Sequence, residues 1–373
     1  MGSDFVYFLI LLFPISLFLT FFATNNNILI EKYYSQGIYL IINKLLYLPS
    51  NLFHFSLGEI LLYLFIFLSV LFTIRFIYRN YWKRSYRKAI KNPGTFSKKT
   101  ALIRGLLNIV ICFSILYFIF IINWGLNYHR LPFASIVNLE IKPTSVDDLQ
   151  SLCENLISRT NTLRENINED NNGVTYIPNG FKSVVKRSQL GYDIIINQYP
   201  ILDLKTSKPK GIMFSKGMSY AGIAGIYSPF TGEANVNTMV PHAMLPNTTA
   251  HEMAHQRGFA REDEANYIAY LACTSHPDID FQYSGVLLAL IHSMNALNKN
   301  DIESYQQLTL EYSDGVKRDL AAINNFWNSY KGTIEKTSRK INNTYLKSNL
   351  QEDGIKSYGR MVDLLIAEYK ATL

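Results

Sequence analysis

The sequence predicts a mainly α-helical (α+β) membrane protein: three N-terminal transmembrane helices, then an extracytoplasmic domain with a small sheet and a helix carrying an HExxH motif. Three observations lead to this fold class: three long apolar runs, one strongly basic segment between two of them, and the sequence HEMAH at His251–His255. Of 373 residues, 48% are hydrophobic and 17% are charged, whereas soluble domains carry about a quarter charged residues. This composition excludes a disordered, highly charged protein.

The apolar runs are long enough to cross a membrane as helices. The first and third contain no charged residue, and the second contains only Arg75, near its end. A helix needs about 20 apolar residues to cross a hydrocarbon core of about 30 Å. We therefore expect a membrane region at 1–124 and an outer domain at 125–373, with spans at about 5–23, 60–77 and 106–124.

The basic segment at 79–105 predicts which way the chain faces. It contains nine Lys and Arg residues and no acidic residue. Short basic loops stay in the cytoplasm, so we expect a cytoplasmic N-terminus and an extracytoplasmic C-terminal domain. Because the net charge is +7, the rest of the chain carries −2. The excess charge therefore reports topology and contact with the lipid bilayer, and we expect no nucleic-acid binding.

Two segments outside the spans are expected at the outer membrane surface. Residues 28–48 are apolar but interrupted by Glu31 and two lysines, which indicates an amphipathic stretch at the interface. Asn127, Tyr128 and Arg130 directly follow the third span and are interpreted as surface anchors.

The outer domain reads as helices around a few short strands. Residues 144–167 have helical periodicity and a possible capping box formed by Ser145 and Asp148. A second amphipathic helix is expected at 181–199, strands are expected at 211–214 and 234–240, and helices return from 281 onward. The strand at 234–240 is expected to run beside the HExxH helix and to hold an extended peptide by strand addition. Cys153 and Cys273 could pair, but spacing does not decide this.

The HExxH motif carries the expected chemistry. On a helix, His251 and His255 lie on one face and can bind one metal ion, while Glu252 can act on a water molecule as general base. This pattern is typical of a catalytic zinc site, so we expect Zn²⁺. Gly258 is suited to end the helix in a left-handed turn.

A catalytic zinc ion needs a third protein ligand, and the acidic segment that follows offers two. Glu262 lies on the expected buried face of a new helix, together with Ala265 and Ala269. Glu264 lies at the margin of that face. Periodicity favours Glu262 as the metal ligand and leaves Glu264 as the alternative.

The motif together with Glu262-x-x-Ala265-Asn266 resembles the gluzincin metallopeptidases. This resemblance implies that Glu262 is the third ligand and that Asn266 orients a histidine. Residues 124–130, 225–237, 251–273 and 345–365 resemble an uncharacterised bacterial family, a domain of unknown function with three spans and a zincin-like outer domain. That resemblance implies a zincin fold and the bacterial cytoplasmic membrane, and it supplies no substrate.

The leading hypothesis is a membrane-anchored zinc metallopeptidase that hydrolyses peptide bonds of peptides or proteins on the outer face of the membrane. Tyr358 is a candidate donor to the developing oxyanion. The alternative is a non-catalytic zinc-binding membrane sensor or assembly factor. In a third reading the protein is structural and the motif is incidental.

Overall fold

Helices make up most of the structure, and a three-stranded sheet lies among them. The computed structural model of the chain describes residues 5–78, 98–142, 144–349 and 360–372. The first α-helices are α1 (Leu12–Thr24), α2 (Asn27–Leu29), α3 (Tyr39–Ser50), α4 (Leu57–Ile77), α5 (Lys98–Asn123) and α6 (Phe133–Ile136). Those that follow are α7 (Val146–Arg164), α8 (Gly180–Ile195), α9 (Ser215–Tyr220), α10 (Leu245–Gln256), α11 (Glu262–Thr274), α12 (Ile279–Asn300), α13 (Ile302–Thr309), α14 (Asp314–Ser329), α15 (Thr333–Ser348) and α16 (Met361–Thr372). The mainly helical class with a small sheet is confirmed.

Three helices are long and apolar enough to cross a membrane, as the sequence predicted. The spans are Tyr7–Thr24, Leu57–Arg75 and Gly105–Asn123, and few of their residues are buried by other parts of the protein. The basic segment at 79–105 lies largely outside the described residues, which resume at 98. The orientation derived from it therefore stays a prediction.

The segment between the first two spans is helical, and its polar face is buried against protein. A π-helical stretch, Ile30–Ile38, joins α2 to α3. Glu31 within it is buried and forms a two-pronged ion pair with Arg130, at 2.7 and 2.9 Å. The expectation that Arg130 anchors the chain at the membrane surface is wrong, because a buried guanidinium needs a buried partner and finds it here.

The second span is fixed at its start to the sheet. Ser56 caps α4 by accepting a hydrogen bond from the backbone N–H of Glu59. The buried carboxylate of Glu233 accepts hydrogen bonds from the N–H groups of Leu57 and Gly58, at 3.0 and 2.8 Å. An acidic group at a helix N-terminus satisfies free donors and complements the helix dipole.

The sheet has the order β1 (Lys210–Gly211), β3 (Glu233–Val236), β2 (Gly225–Ser228). Strand β3 is fully buried and pairs in parallel with β1 and antiparallel with β2. The expectation that the strand at 234–240 offers a free edge is wrong, because both of its edges are occupied. Strand β2, which the sequence did not reveal, is one of the two edge strands.

The main core after the third apolar helix forms where α10, α11 and α12 pack together, with α7 and α8 against them. The capping box of Ser145 and Asp148 at the start of α7 is confirmed. Cys153 and Cys273 are both buried free thiols.

Candidate metal centre

Helix α10 carries the HExxH sequence into the interior of the region that follows the third apolar helix. Pro246 occupies its first turn, where the missing N–H of proline costs nothing. His251 and His255 stand one turn apart, with their ring centroids separated by 4.7 Å. The helix ends at Gln256, and two residues later Gly258 has a φ of 82°, in the left-handed region, and donates its N–H to the carbonyl of His255. The chain reverses there and returns as α11 alongside α10.

The reversal brings Glu262, the first residue of α11, to both histidines. Its Oε2 atom lies 3.2 Å from Nε2 of His251 and 3.9 Å from Nε2 of His255. The potential ligand atoms of these three residues lie within 4.8 Å of one another, and the group can hold a metal ion. Two imidazole nitrogens and a carboxylate are a usual protein ligand set for catalytic zinc.

The outward nitrogen of each imidazole is held by an oxygen acceptor. His251 Nδ1 lies 2.9 Å from Oδ1 of Asn266, and His255 Nδ1 lies 2.7 Å from the carbonyl oxygen of Phe259. With a proton on each Nδ1, the Nε2 atoms would be free to bind a metal ion held also by Glu262. Partners of this kind fix the ring orientation and raise the basicity of metal-binding histidines, so the residues present fit a zinc ion.

The two imidazoles differ in electrostatic environment. Burial, reinforced by the neighbouring His251, lowers the pKa of His255 to about 4. Burial also acts to lower the pKa of His251, but the hydrogen bond and charge of Glu262 outweigh it and leave that pKa above its ordinary value. A neutral His255 at physiological pH keeps a lone pair available for a metal ion.

Glu252 lies next to the cluster and is only 4% exposed. Its Oε2 atom has no hydrogen-bond partner in the part of the chain that the structure describes. Burial raises the pKa of Glu252 to about 8, against the opposing effect of His251. A buried carboxyl group with an unpaired oxygen at a cleft is suited to proton transfer.

Of the other two predicted site residues, Glu264 does not belong to the cluster. Glu264 is buried and its Oε1 accepts a hydrogen bond from the backbone N–H of Phe133 at 2.9 Å. Burial raises the pKa of Glu264 to about 7. Tyr358 lies outside the described residues.

A cleft of about 930 Å³ opens over the cluster and over Glu252. Strand β2 forms one wall, α15 and the end of α14 form another, and the end of α5 contributes a third. Asn237 donates its N–H to the carbonyl of Ala224, so by antiparallel alternation the backbone groups of Gly225 and Tyr227 point to the free edge of β2. A Cβ at Gly225 would lie 2.7 Å from Cγ of Glu252. Glycine therefore lets the edge strand approach this carboxylate.

The sequence did not predict that two tyrosines would meet in the cleft. The hydroxyl groups of Tyr128 and Tyr345 are 2.8 Å apart, and both residues line the cleft. Burial is the main cause that raises the pKa of Tyr345 to about 12 and that of Tyr128 well above its usual range. Ser338, Asn342 and Tyr345 all line the cleft at helical spacing. This helical spacing was the only sequence pattern that could have pointed to Tyr345. It does not distinguish Tyr345 from the other tyrosines, of which the chain has 25 in all.

The candidate centre contacts residues that lie between or after the three long apolar helices. Trp124 directly follows α5, and its ring lies edge-on to that of His255 with centroids 5.9 Å apart. Tyr39 donates its hydroxyl to the carbonyl of Gln256 at 2.9 Å. Arg130 donates to the carbonyl of Gly258 at 3.1 Å. The carbonyl groups that follow the HExxH sequence are thus held by residues from the membrane region and its outer boundary.

Comparison with known proteins gives one match. The sequence model of a family described as "Protein of unknown function (DUF3810)" matches residues 34–366. No curated protein and no solved structure matches the chain.

Proposed function

Because the chain belongs to the DUF3810 family of proteins of unknown function, we propose its function from the chemistry of its cleft: it is a membrane-anchored, zinc-dependent metallopeptidase. One observation supports this most directly. His251, His255 and Glu262 converge on one point, with the unpaired carboxyl oxygen of Glu252 beside them in a cleft bordered by the free edge of β2. With an HExxH helix and a returning carboxylate helix, residues 125–373 would form a zincin-like domain of the gluzincin type.

The proposal assigns roles to the candidate metal ligands, to Asn266 and to the edge of β2. His251, His255 and Glu262 would hold the zinc ion, and Asn266 would orient His251 through its Nδ1. When bound, the ion would act as a Lewis acid toward the scissile carbonyl and would acidify a water molecule. The free edge of β2 would pair with an extended peptide.

Glu252 would move the proton during hydrolysis. It takes a proton from the attacking water and delivers it to the departing amine nitrogen. The C–N bond breaks as the hydroxyl of water joins the carbonyl carbon, so one water molecule is consumed and nothing else is needed. The hydroxyl pair of Tyr128 and Tyr345, which faces the same cleft, would donate to the carbonyl oxygen as negative charge develops there.

The decisive experiment uses the full chain purified in detergent. We expect about one zinc ion per chain and hydrolysis of members of a peptide library. Glu252→Gln should keep the zinc and lower hydrolysis by about 10²–10⁴-fold, because only the proton transfer is removed. A wild-type chain without zinc would refute the proposal. Zinc without hydrolysis, in wild type and variant alike, would instead favour the non-catalytic sensor or assembly factor.

The proposal also includes an orientation in the bacterial cytoplasmic membrane. The N-terminus and the basic segment at 79–105 would face the cytoplasm, and the cleft would face outward. Reporter fusions at residues 90 and 200 should report the cytoplasm and the exterior respectively, and the reverse result would overturn this orientation.

A further inference from the structure

Strand β2 connects the cleft to the ends of two membrane helices. Its first residue, Gly225, lies against Glu252. Its last residue, Ser228, lies against the start of α4, where a Cβ on Gly58 would be 3.0 Å from Oγ of Ser228. The carbonyl of Pro229, the next residue, accepts a hydrogen bond at 3.3 Å from the side chain of Asn123, the last residue of α5.

The length of β2 sets how far the site lies from the membrane. Gly225 and Ser228 are three residues apart, which in a strand spans roughly 10 Å. The headgroup layer extends roughly 5–8 Å beyond the hydrocarbon core on each side. Since Gly58 and Asn123 lie at the ends of apolar spans, the membrane-side end of β2 falls at headgroup level. Glu252 is then little more than one headgroup layer above it.

Apolar side chains are exposed on the rim of the cleft, beside the charged residues Lys331 and Arg339. Ile226 of β2 is 51% exposed, Phe230 of the following turn is 43% exposed, and Ile341 of α15 is 65% exposed, and all three line the cleft. Phe120, within the third span, lines it as well. The cleft is therefore continuous with side chains of a membrane helix.

We propose that the substrate is a polypeptide anchored in the same membrane, and that it is cut within a few residues of the point where it leaves the bilayer. This rests on the proposed hydrolytic function and uses the same reaction, one water molecule for each C–N bond broken. A chain that leaves the membrane beside α4 and α5 can extend along β2 and reach Glu252 after about three residues. A soluble protein would instead have to insert an extended segment into the headgroup layer.

The test varies the distance between anchor and cleavage sequence. The full chain is reconstituted in phosphatidylethanolamine–phosphatidylglycerol vesicles with a cleavable library peptide fused to one transmembrane helix. Gly/Ser spacers range from about three to about 30 residues. We expect the fastest cleavage with the shortest spacers and a fall of at least about tenfold with the longest. Cleavage products identified by mass spectrometry should end within a few residues of the anchor.

The dependence on spacer length distinguishes cleavage close to the anchor from a mere increase in peptide concentration at the membrane. Any tethered peptide is concentrated in a layer at the membrane whose thickness grows as the square root of linker length, so between about three and about 30 residues this effect alone lowers its concentration only about threefold. A flat profile, a maximum at long spacers, or equal cleavage of the untethered peptide at matched local concentration would overturn the inference and leave the peptidase function standing. No cleavage of any peptide, tethered or free, would refute the function itself.

A pair of variants tests the rim. Phe230→Ser should lower cleavage of the short-spacer substrate severalfold more than cleavage of the free peptide. Phe214→Ser is the matched control: Phe214 is 63% exposed and its N–H binds Glu59 in the first turn of α4, but it does not line the cleft. Equal effects of the two substitutions on the short-spacer substrate would contradict a role for the rim.

Discussion

Asn266 allows the clearest test of a residue that orients a metal ligand without binding the metal itself. Its Oδ1 holds Nδ1 of His251, and it does not belong to the group of potential ligands. Asn266→Leu should weaken zinc affinity about 10–100-fold, because the imidazole loses the acceptor that orients it. Asn266→Asp keeps an acceptor oxygen and should retain most of the affinity. Chelator competition measures both, and equal affinities for wild type and Asn266→Leu would contradict this role.

Gly225 offers a test of the space in front of Glu252. In Gly225→Ala the new methyl group would meet the side chain of Glu252, which has to move. We expect hydrolysis to fall at least about tenfold while zinc binding is retained, since small displacements of catalytic groups have large effects on rate. Gly332→Ala is the matched control, because a Cβ there meets nothing within 4 Å. Unchanged hydrolysis in Gly225→Ala would show that the carboxylate does not need this space.

Some of the candidate site could be read from the sequence because its determinants are local. The i, i+4 spacing of His251 and His255 and the apolar face shared by Glu262 and Ala265 both follow from helical periodicity. Glu252 follows from the motif. Tyr345 could not be found this way, because its meeting with Tyr128 joins positions 217 residues apart.

At the scale of elements, the pairing of the π-helical stretch with the segment after α5 is connected by hydrogen bonds to the turn that follows the HExxH helix. Arg130 binds Glu31 on one side and the carbonyl of Gly258 on the other, and both charged side chains are almost fully buried. The ion pair thus links an element before the second span to the turn between α10 and α11.

Removing one member of the Glu31–Arg130 ion pair should lower the stability of the fold substantially. Arg130→Met leaves the carboxylate of Glu31 buried without its charged partner, with only the amide of Gln36 still donating to it, and should destabilise the protein by about 3–5 kcal/mol. The double variant Glu31→Gln with Arg130→Met should recover part of that loss. Arg318→Met removes an exposed pair with Glu169 and should cost less than about 1 kcal/mol. Unfolding of the detergent-solubilised chain compares them, and equal losses for Arg130→Met and Arg318→Met would contradict the assignment.

Elements with their own periodicity were predictable, and elements defined by pairing were not. The capping box at Ser145 and the helices α7 and α8 follow from local pattern, with ends shifted by a few residues. Strand β2 has four residues, two of them glycine and serine, and only its pairing with β3 defines it. The buried face of the stretch around Glu31 depends on Arg130, 99 residues away.

Across the whole molecule, packing crosses the boundary that hydropathy predicts at 124/125. Tyr39 before the second span, Trp124 at the end of the third and Tyr227 in β2 belong to one buried cluster. Hydropathy shows where an apolar run ends. It does not predict which side chains from other parts of the chain pack on the residue that follows. The long apolar helices and the segments between them are therefore part of the support of the candidate metal centre.

The contact between Trp124 and His255 has a consequence for the choice of lipid. Bilayers that are thicker or thinner than the apolar spans change helix tilt, at a cost of fractions of a kcal/mol per Å of mismatch. Trp124 follows the third span without a linker, so a change of tilt moves its ring against the imidazole. Hydrolysis in vesicles should therefore pass through a maximum as acyl chains lengthen from about 14 to about 22 carbons. The test is the turnover rate of the free peptide in vesicles of each acyl-chain length. A constant rate would show that bilayer thickness does not affect the candidate centre.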